Sequence, residues 1–195
     1  REIVMSMPLP TDTARRLPGD LDIWVFVLGD MLIFSAYFFA YLLDRSHDTA
    51  LFTQSQLALN QSLGIVNTLV LLTSSLMVAL CVHAARAGEL AHAVRFLELG
   101  VGCGAGFLVL KASEWYAKLS SGITLGTNAF YMHYFVLTGV HVLHVLIGLA
   151  FLLVLRLELR TSESPRLQLL EAGGTYWHVV AFLWFLIFAL LYVMR

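Results

Sequence analysis

The sequence predicts an all-α polytopic membrane protein built as a bundle of five transmembrane helices. Of its 195 residues, 59% are hydrophobic and 13% are charged, and the mean hydropathy is +0.80. The charged fraction is about half of that in an ordinary soluble domain, so the chain has too few polar side chains to cover a surface exposed to water. The apolar residues also fall into five long runs, and a spanning helix needs such a run of roughly 20 residues.

The five runs define the predicted spans and one membrane domain. In chain order the spans cover residues 21–43, 63–85, 96–117, 129–155 and 172–194. The alternating polar and apolar segments that a transmembrane β-barrel requires do not occur in the sequence. We therefore expect an N-terminal segment, 1–19, without the apolar core of a signal peptide, followed by one five-helix domain, 20–195.

Basic residues in the connecting segments predict the orientation, because cytoplasmic loops are enriched in Lys and Arg. The first side of the membrane would carry Arg1, Arg15, Arg16, Arg86, Arg95, Arg156, Arg160 and Arg166. The opposite side would carry Arg45, Lys118 and Arg195. This imbalance predicts a cytoplasmic N-terminus and a periplasmic C-terminus.

Charge, cysteine content and motifs exclude several classes of function. The net charge is −1 with a pI near 6.7, so no basic surface suggests a nucleic-acid partner. Cys81 and Cys103 both lie within apolar runs, where small buried thiols are expected in preference to a disulfide or a metal site. The sequence contains no HExxH, GxSxG or CxxC motif, so we predict neither a catalytic site nor a metal site.

Charged residues inside the predicted spans are candidate functional residues, because a charge is costly in hydrocarbon. Asp30 lies within the first span and requires a partner; a hydrogen-bonded acid at a helix interface and a proton or ion site are both open interpretations. Lys111 and Glu114 lie three residues apart in the third span and share a helix face, which favours an ion pair. A polar connection from this pair to the fourth span is the alternative.

Histidines are concentrated in the last two spans. The fourth span contains His133, His141 and His144, and the fifth contains His178 in TYWHVVAF. His141 and His144 lie on one helix face, and either could share a haem with His178. The residue pattern favours interhelical hydrogen bonds, with Glu114 or a backbone carbonyl as acceptor, over haem or copper ligation.

Small residues and tryptophans predict how the helices pack. Glycines spaced by four residues let helix backbones approach closely in lipid, and the third and fourth spans contain six candidates. These glycines are Gly100, Gly102, Gly104, Gly106, Gly139 and Gly148. Tryptophan is common at membrane interfaces, so the four tryptophans are predicted to pack or to anchor the helices there. They are Trp24, Trp115, Trp177 and Trp184.

Five segments of the sequence together resemble the cytochrome c oxidase subunit III family of the haem–copper oxidases. In the family's order they are GDMLIFSAYFFAY, VNTLVLLTSS, LKASEWY, TGVHVLHVLIG and EAGGTYWHVVAFLWFLIF. The fourth segment resembles a Thr-Gly-x-His-x-x-His signature of that family. The resemblance extends from about residue 20 to residue 195 and implies a five-helix form that lacks the two N-terminal helices of longer members.

The resemblance implies a non-catalytic accessory subunit of a haem–copper enzyme in the bacterial inner membrane. Such a subunit packs against the catalytic subunit, binds phospholipid and carries no haem or copper of its own. The opening LPGDLDIWVFVLGDM is most similar to the NorE-type accessory protein of nitric oxide reductase, which favours that partner. Subunit III of an aerobic cytochrome c or quinol oxidase, supporting proton uptake, is the alternative; a membrane protein with a His-ligated haem is an alternative of another class.

Within this family the candidate residues are expected to form a buried polar network and not a metal site. Its expected members are Asp30, Lys111, Glu114, His141, His144 and His178. The sequence departs from the family at two positions. Asp30 stands where a Glu is common, and Ala181 stands where an Asp often follows the last histidine. Both departures fit a member that serves a reductase that does not pump protons, or one that has lost its role in proton uptake.

Overall fold

The structure is a computed structural model that describes residues 21–162 and 165–194. The predicted N-terminal segment, 1–19, lies outside the described residues. Within the described residues the chain forms helices and no strand. The elements are α1 (Leu21–His47), α2 (Thr49–Leu57), α3 (Gln61–Arg86), α4 (Leu90–Ser120), α5 (Ala129–Thr161), α6 (Leu167–Phe188) and a π-helical turn, Ala189–Val193. Among the described residues, five helices are long and apolar enough to cross a membrane, which confirms the predicted all-helical class and the five predicted spans in that part of the chain.

The helices extend beyond the predicted apolar spans at most of their ends. For example, α5 continues to Thr161 and α6 already begins at Leu167, several residues outside the predicted limits of 155 and 172. An apolar run marks only the part of a helix that lies in hydrocarbon, whereas backbone hydrogen bonds continue into the interfacial region. The short helix α2, in the first connection, was not predicted.

Local sequence signals explain where the long helices begin and end. The side chains of Asn60 and Asn128 accept hydrogen bonds from the backbone N–H groups of Leu63 (3.1 Å) and Tyr131 (2.9 Å), capping α3 and α5. Gly88 and Gly122 follow α3 and α4 with φ of +78° and +81°. A left-handed residue commonly ends a helix, and glycine adopts that conformation at no steric cost.

Helices α3 to α6 form a four-helix bundle, and α1 packs on its outside. The most extensive packing is between α3 and α4, while α1 contacts α5 and α6 over short stretches. Val27, Phe34 and Tyr41 are the buried apolar side chains of α1, whereas Leu32 and Phe39 remain 73% and 63% exposed. Much of α1 therefore presents an apolar surface to its surroundings.

Two of the predicted interface tryptophans lie in the bundle core, which corrects the prediction that they anchor the helices at the interface. Trp177 and Trp184 are 0% and 1% exposed. Their indole N–H groups donate to Ser74 Oγ (3.1 Å) and Thr68 Oγ1 (3.0 Å) of α3. A buried indole needs such an acceptor, and the small hydroxyl residues of α3 provide it. Trp24 and Trp115 are only partly buried.

The glycines divide into tightly packed and open positions. A Cβ added at Gly148 or Gly104 would lie 2.7 Å or 2.9 Å from the Trp177 ring, and one at Gly100 would lie 3.1 Å from Val78 Cγ2. These three glycines allow the close helix approach that the sequence predicted. The predicted pattern is wrong at the other three glycines: the same Cβ would meet no atom closer than 3.9 Å, because these positions lie away from the tight helix contacts. They are Gly102, Gly106 and Gly139.

Candidate functional site

The most deeply buried charges form a compact cluster between α4, α5 and the π-helical turn. Lys111 Nζ donates to Glu114 Oε2 (2.9 Å), to Tyr192 Oη (3.0 Å) and to Tyr134 Oη (3.3 Å). The Tyr192 hydroxyl donates to the other carboxylate oxygen of Glu114 at 2.5 Å. The Lys111 and Glu114 side chains are 1% and 4% exposed. The predicted Lys111–Glu114 pair is therefore present, and it is joined by two tyrosines that carried no sequence signal.

Aromatic rings complete the shell around the Lys111 ammonium. Nζ lies 4.7 Å from the centre of the Tyr134 ring and 5.0 Å from that of Trp184, distances at which a cation is attracted to a ring face. Burying a charge is tolerable only when it is paired and hydrogen-bonded. The cluster meets both conditions, so it contributes a neutral polar unit to the core.

Asp30 and His144 form a second cluster, which joins α1 to α5. His144 Nε2 lies 3.0 Å from Asp30 Oδ1, and the two side chains are 14% and 11% exposed. The other ring nitrogen, Nδ1, lies 2.8 Å from the Val140 carbonyl oxygen, and the Phe34 ring packs edge-on against the imidazole at 5.5 Å. Asp30 therefore has a partner on a neighbouring helix. This is what the interpretation as a hydrogen-bonded acid at a helix interface requires.

His178 belongs to a third and separate cluster, between α3 and α6. Its Nδ1 lies 2.6 Å from Ser75 Oγ. It also lines a notch of about 220 Å³ whose rim carries the Arg86–Glu171 ion pair. Both Nε and Nη2 of Arg86 donate to Glu171 Oε1, at 3.0 Å and 2.8 Å. The charges of the Arg86–Glu171 pair balance, because it contains one cation and one anion.

A fourth cluster, which the sequence did not predict, lies where the end of α1 and the short helix α2 meet α5 and the π-helical turn. His133 Nε2 lies 2.8 Å from Asp44 Oδ2. Nearby, Arg45 Nη1 donates to Gln56 Oε1 (2.7 Å), and Gln56 Nε2 donates to the carbonyl oxygens of Leu190 (3.0 Å) and Leu191 (3.2 Å). Gln56 thereby supplies donors to two carbonyl groups of the π-helical turn, because the last carbonyls of a helix have no partner within it.

His141 departs from the predicted polar network. Its side chain is 0% exposed, and neither ring nitrogen has a hydrogen-bond partner. The imidazole instead lies between aromatic rings, with centroids 5.6 Å from Phe107 and 5.2 Å from Trp184. The buried amide of Asn67 is likewise without a partner. The residues predicted to form a buried polar network therefore lie in three separate clusters, and His141, which faces aromatic neighbours, has no polar partner.

The described residues, 21–162 and 165–194, contain no cluster of metal ligands. In that part of the chain, no three His, Cys, Asp or Glu side chains converge as a metal site would require. His141, His144 and His178 lie in three different environments. The arrangement is one of small polar clusters, most of which link neighbouring helices.

The fold and these clusters define a multi-pass membrane protein whose buried polar side chains pair inside a helix bundle, with Lys111 bonded to Glu114 in the core. The family model described as "Cytochrome c oxidase subunit III" matches residues 18–195. The chain therefore belongs to the cytochrome c oxidase subunit III family, which confirms the resemblance seen in the sequence.

Relatives of this chain include named subunits of quinol, cytochrome c and heme-copper oxidases. A quinol oxidase subunit 3 of Bacillus spizizenii is 28% identical over 89% of this chain and 86% of its own length. A cytochrome c oxidase subunit 3 of Corynebacterium diphtheriae is 31% identical over 88% of this chain and 85% of its own length. A heme-copper oxidase subunit I+III of Aeropyrum pernix is 27% identical over 97% of this chain, which corresponds to 24% of that protein.

Proposed function

We propose that this chain is subunit III of a haem–copper terminal oxidase, a non-catalytic accessory subunit in the bacterial inner membrane. Membership of the cytochrome c oxidase subunit III family supports this function. Two of the named relatives are third subunits of a quinol oxidase and a cytochrome c oxidase. A third has a name that joins subunits I and III, which supports the catalytic subunit I as the partner.

One observation carries the accessory role within that family: the buried charges of this chain are used against one another. Lys111 is paired with Glu114, and both are bonded to Tyr192. Asp30 is paired with His144. Reactive groups of an enzyme have to face a substrate, whereas these groups face neighbouring helices. The chain then contributes a stable apolar body that covers the flank of its partner.

The environments of the three candidate haem ligands support a subunit without a haem or copper of its own. A haem shared by two histidines would use His141 or His144 together with His178. His141 is packed between the rings of Phe107 and Trp184, and the other two imidazoles contact Asp30 and Ser75. A Soret band from the purified chain that disappears in the His141→Ala and His178→Ala variants would contradict this proposal.

The proposal includes the orientation and the lipid contacts predicted from the sequence. Eight basic residues on one side against three on the other support a cytoplasmic N-terminus and a periplasmic C-terminus. Exposed apolar side chains cover α1 and the outer faces of the bundle, so phospholipid would fill the surface that the partner leaves uncovered.

A nitric oxide reductase is the second candidate partner. It is favoured by the opening LPGDLDIWVFVLGDM, with its likeness to the NorE-type protein, and by the two departures at Asp30 and Ala181. Residues 17–20 of that opening lie outside the described residues. The relatives named above are oxidase subunits, so we place the oxidase first.

Copurification tests the proposed function. A tagged full-length chain, extracted in mild detergent, should bring down a haem-containing catalytic subunit that mass spectrometry identifies. Oxygen consumption by the purified complex is the expected activity, and nitric oxide consumption without oxidase activity would establish the second candidate. Recovery of the chain with no haem–copper subunit, from cells that express one, would overturn the proposal.

A further inference from the structure

Two polar side chains in the core lack any hydrogen-bond partner among the described residues. Asn67 of α3 and His141 of α5 are both 0% exposed. Neither amide atom of Asn67 and neither ring nitrogen of His141 lies within hydrogen-bonding distance of a protein donor or acceptor. Buried polar atoms of native proteins are in the large majority bonded to protein or to ordered water. Four unpartnered atoms on two side chains therefore indicate a ligand.

Asn67 and His141 lie in the same layer of the four-helix bundle. Thr68, the residue after Asn67, accepts a hydrogen bond from Trp184 Nε1 at 3.0 Å. The centre of the Trp184 ring lies 5.2 Å from that of His141. The Phe107 ring contacts both, with centroids 4.8 Å from Trp184 and 5.6 Å from His141. This layer therefore contains residues of all four helices.

The face of α3 that carries Asn67 is turned toward the bundle axis. Asn67 and Ser74 are seven residues apart, so they share this face. Ser74 donates to the Gly100 carbonyl oxygen of α4 (2.6 Å) and accepts from Trp177 of α6 (3.1 Å), which places the face between those two helices. Helix α5 packs against the same two helices, so it lies diagonally opposite α3. Asn67 and His141 therefore face each other across the core layer.

The polar groups of the protein around this layer are already engaged. Thr68 Oγ1 accepts from Trp184 and donates its one hydrogen to the Gly64 carbonyl oxygen at 2.8 Å. Lys111 Nζ lies 5.0 Å from the centre of the Trp184 ring and donates to three other side-chain oxygens. Neither group has a further hydrogen to donate into the layer.

We infer that this core layer binds internal water, which bridges the Asn67 amide and the His141 imidazole. The amide offers two N–H donors and an acceptor oxygen, and a neutral imidazole offers one donor and one acceptor. A buried water molecule both donates and accepts, and it typically makes about three hydrogen bonds to groups of this kind. A direct bond between Asn67 and His141 would satisfy only one atom of each side chain.

The inferred water links two helices that are not neighbours in the bundle. Packing joins α3 to α4 and α6, and it joins α5 to the same two helices. A hydrogen-bonded bridge across the core adds a connection between α3 and α5. It also fixes their relative depth, because Asn67 and His141 have to stay in one layer. This role goes beyond the proposed function and does not depend on which catalytic subunit is the partner.

Water-edited solid-state NMR on the full-length chain in phosphatidylcholine bilayers tests the inference. Histidine and tryptophan would carry a heavy nitrogen isotope, and the transfer of water polarisation to each ring N–H would be followed against mixing time. The His141 signal, identified by its loss in His141→Phe, should receive polarisation at short mixing times. The Trp184 indole is the internal control: it is 1% exposed in the same layer but bonded to Thr68, so its transfer should be slow.

Two further variants make the result specific. Asn67→Leu removes one side of the bridge and should slow the transfer to His141 to the rate measured at Trp184. Ser75→Ala removes another polar group of α3, the hydroxyl beside His178, and should leave the transfer to His141 unchanged. Equal slowing in both variants would show a general loosening or tightening of the bundle and would overturn the inference.

The wild-type measurement alone can also overturn the inference. Transfer to His141 no faster than transfer to Trp184 would show a dry layer. A ring-nitrogen chemical shift that changes in Asn67→Leu without any transfer from water would show a direct bond between the two side chains, which contradicts the water site as well. Copurification with an oxidase measures a different property, so failure of the water site and failure of the proposed function are distinguishable.

Discussion

The Lys111–Glu114 cluster and the Arg156–Glu98–Arg160 cluster between α4 and α5 contain the same types of charge in opposite settings. In the first, one cation and one anion are almost completely buried and are closed off by two tyrosines. In the second, Arg156 and Arg160 share Glu98 while 33% and 49% of their side chains remain exposed. Burial demands neutrality and complete hydrogen bonding, whereas exposure to solvent permits two cations on one anion. The comparison teaches that the depth of a cluster decides whether its charges have to balance.

Removing one charge from the core cluster should have the largest effect on stability. Lys111→Met leaves the Glu114 carboxylate without its cation, and breaking a buried pair costs about 3–5 kcal/mol. Thermal unfolding in detergent, followed by circular dichroism, would measure the loss. The Lys111→Met/Glu114→Leu double variant removes both charges and should recover a substantial part of the lost stability. A Lys111→Met protein as stable as wild type would show that the pair is dispensable.

A packing variant should have the next largest effect on stability. It compares a buried glycine with an exposed one. Gly148→Ala places a methyl group 2.7 Å from the Trp177 ring, and overpacking of this kind costs about 1–3 kcal/mol. Gly102→Ala, whose methyl group meets open space, is the matched control and should unfold like wild type. Equal unfolding temperatures for the two variants would argue against the tight contact between α5 and α6.

Breaking the interhelical pair of α1 should have a smaller effect. Asp30→Asn removes the charge that faces His144 at 3.0 Å, and a hydrogen bond involving a charged group contributes roughly 2 kcal/mol. Because α1 packs outside the four-helix bundle, we expect faster proteolysis between α1 and α3 with the bundle intact. Asp48→Asn, which changes an exposed cap of α2, is the control. Uniform destabilisation of all helices would contradict a peripheral role for α1.

Changing the Arg156–Glu98–Arg160 cluster should affect stability least. Arg156→Gln alters a partly exposed, solvent-screened ion pair, and such pairs contribute little to folding. We expect an unfolding midpoint close to that of wild type, measured by circular dichroism in detergent. A large fall in the midpoint would mean that this cluster is part of the structural core and would remove the contrast with Lys111 and Glu114.

Part of the site could be predicted from the sequence because the relevant partners are neighbours along one helix. Lys111 and Glu114 are three residues apart, so helical periodicity alone brings them together. The same reasoning identified Gly100 and Gly104 as a packing face. Asp30 was recognisable as a buried acid that needs a partner, but its pairing with His144 joins two helices separated by more than a hundred residues, and no local pattern specifies that contact.

By itself, the sequence determined the helical class, the five spans and the family, because hydropathy and length decide whether a segment can lie in hydrocarbon. Only the tertiary structure decided that Trp177 and Trp184 fill the core, that Tyr134 and Tyr192 close the Lys111–Glu114 cluster, and that His141 faces aromatic rings. These contacts depend on how far each helix is rotated and shifted against its neighbours. In a membrane, nearly every face of such helices is apolar, so the apolar pattern leaves that rotation undetermined, and it is set by close packing and by the few polar partners within reach.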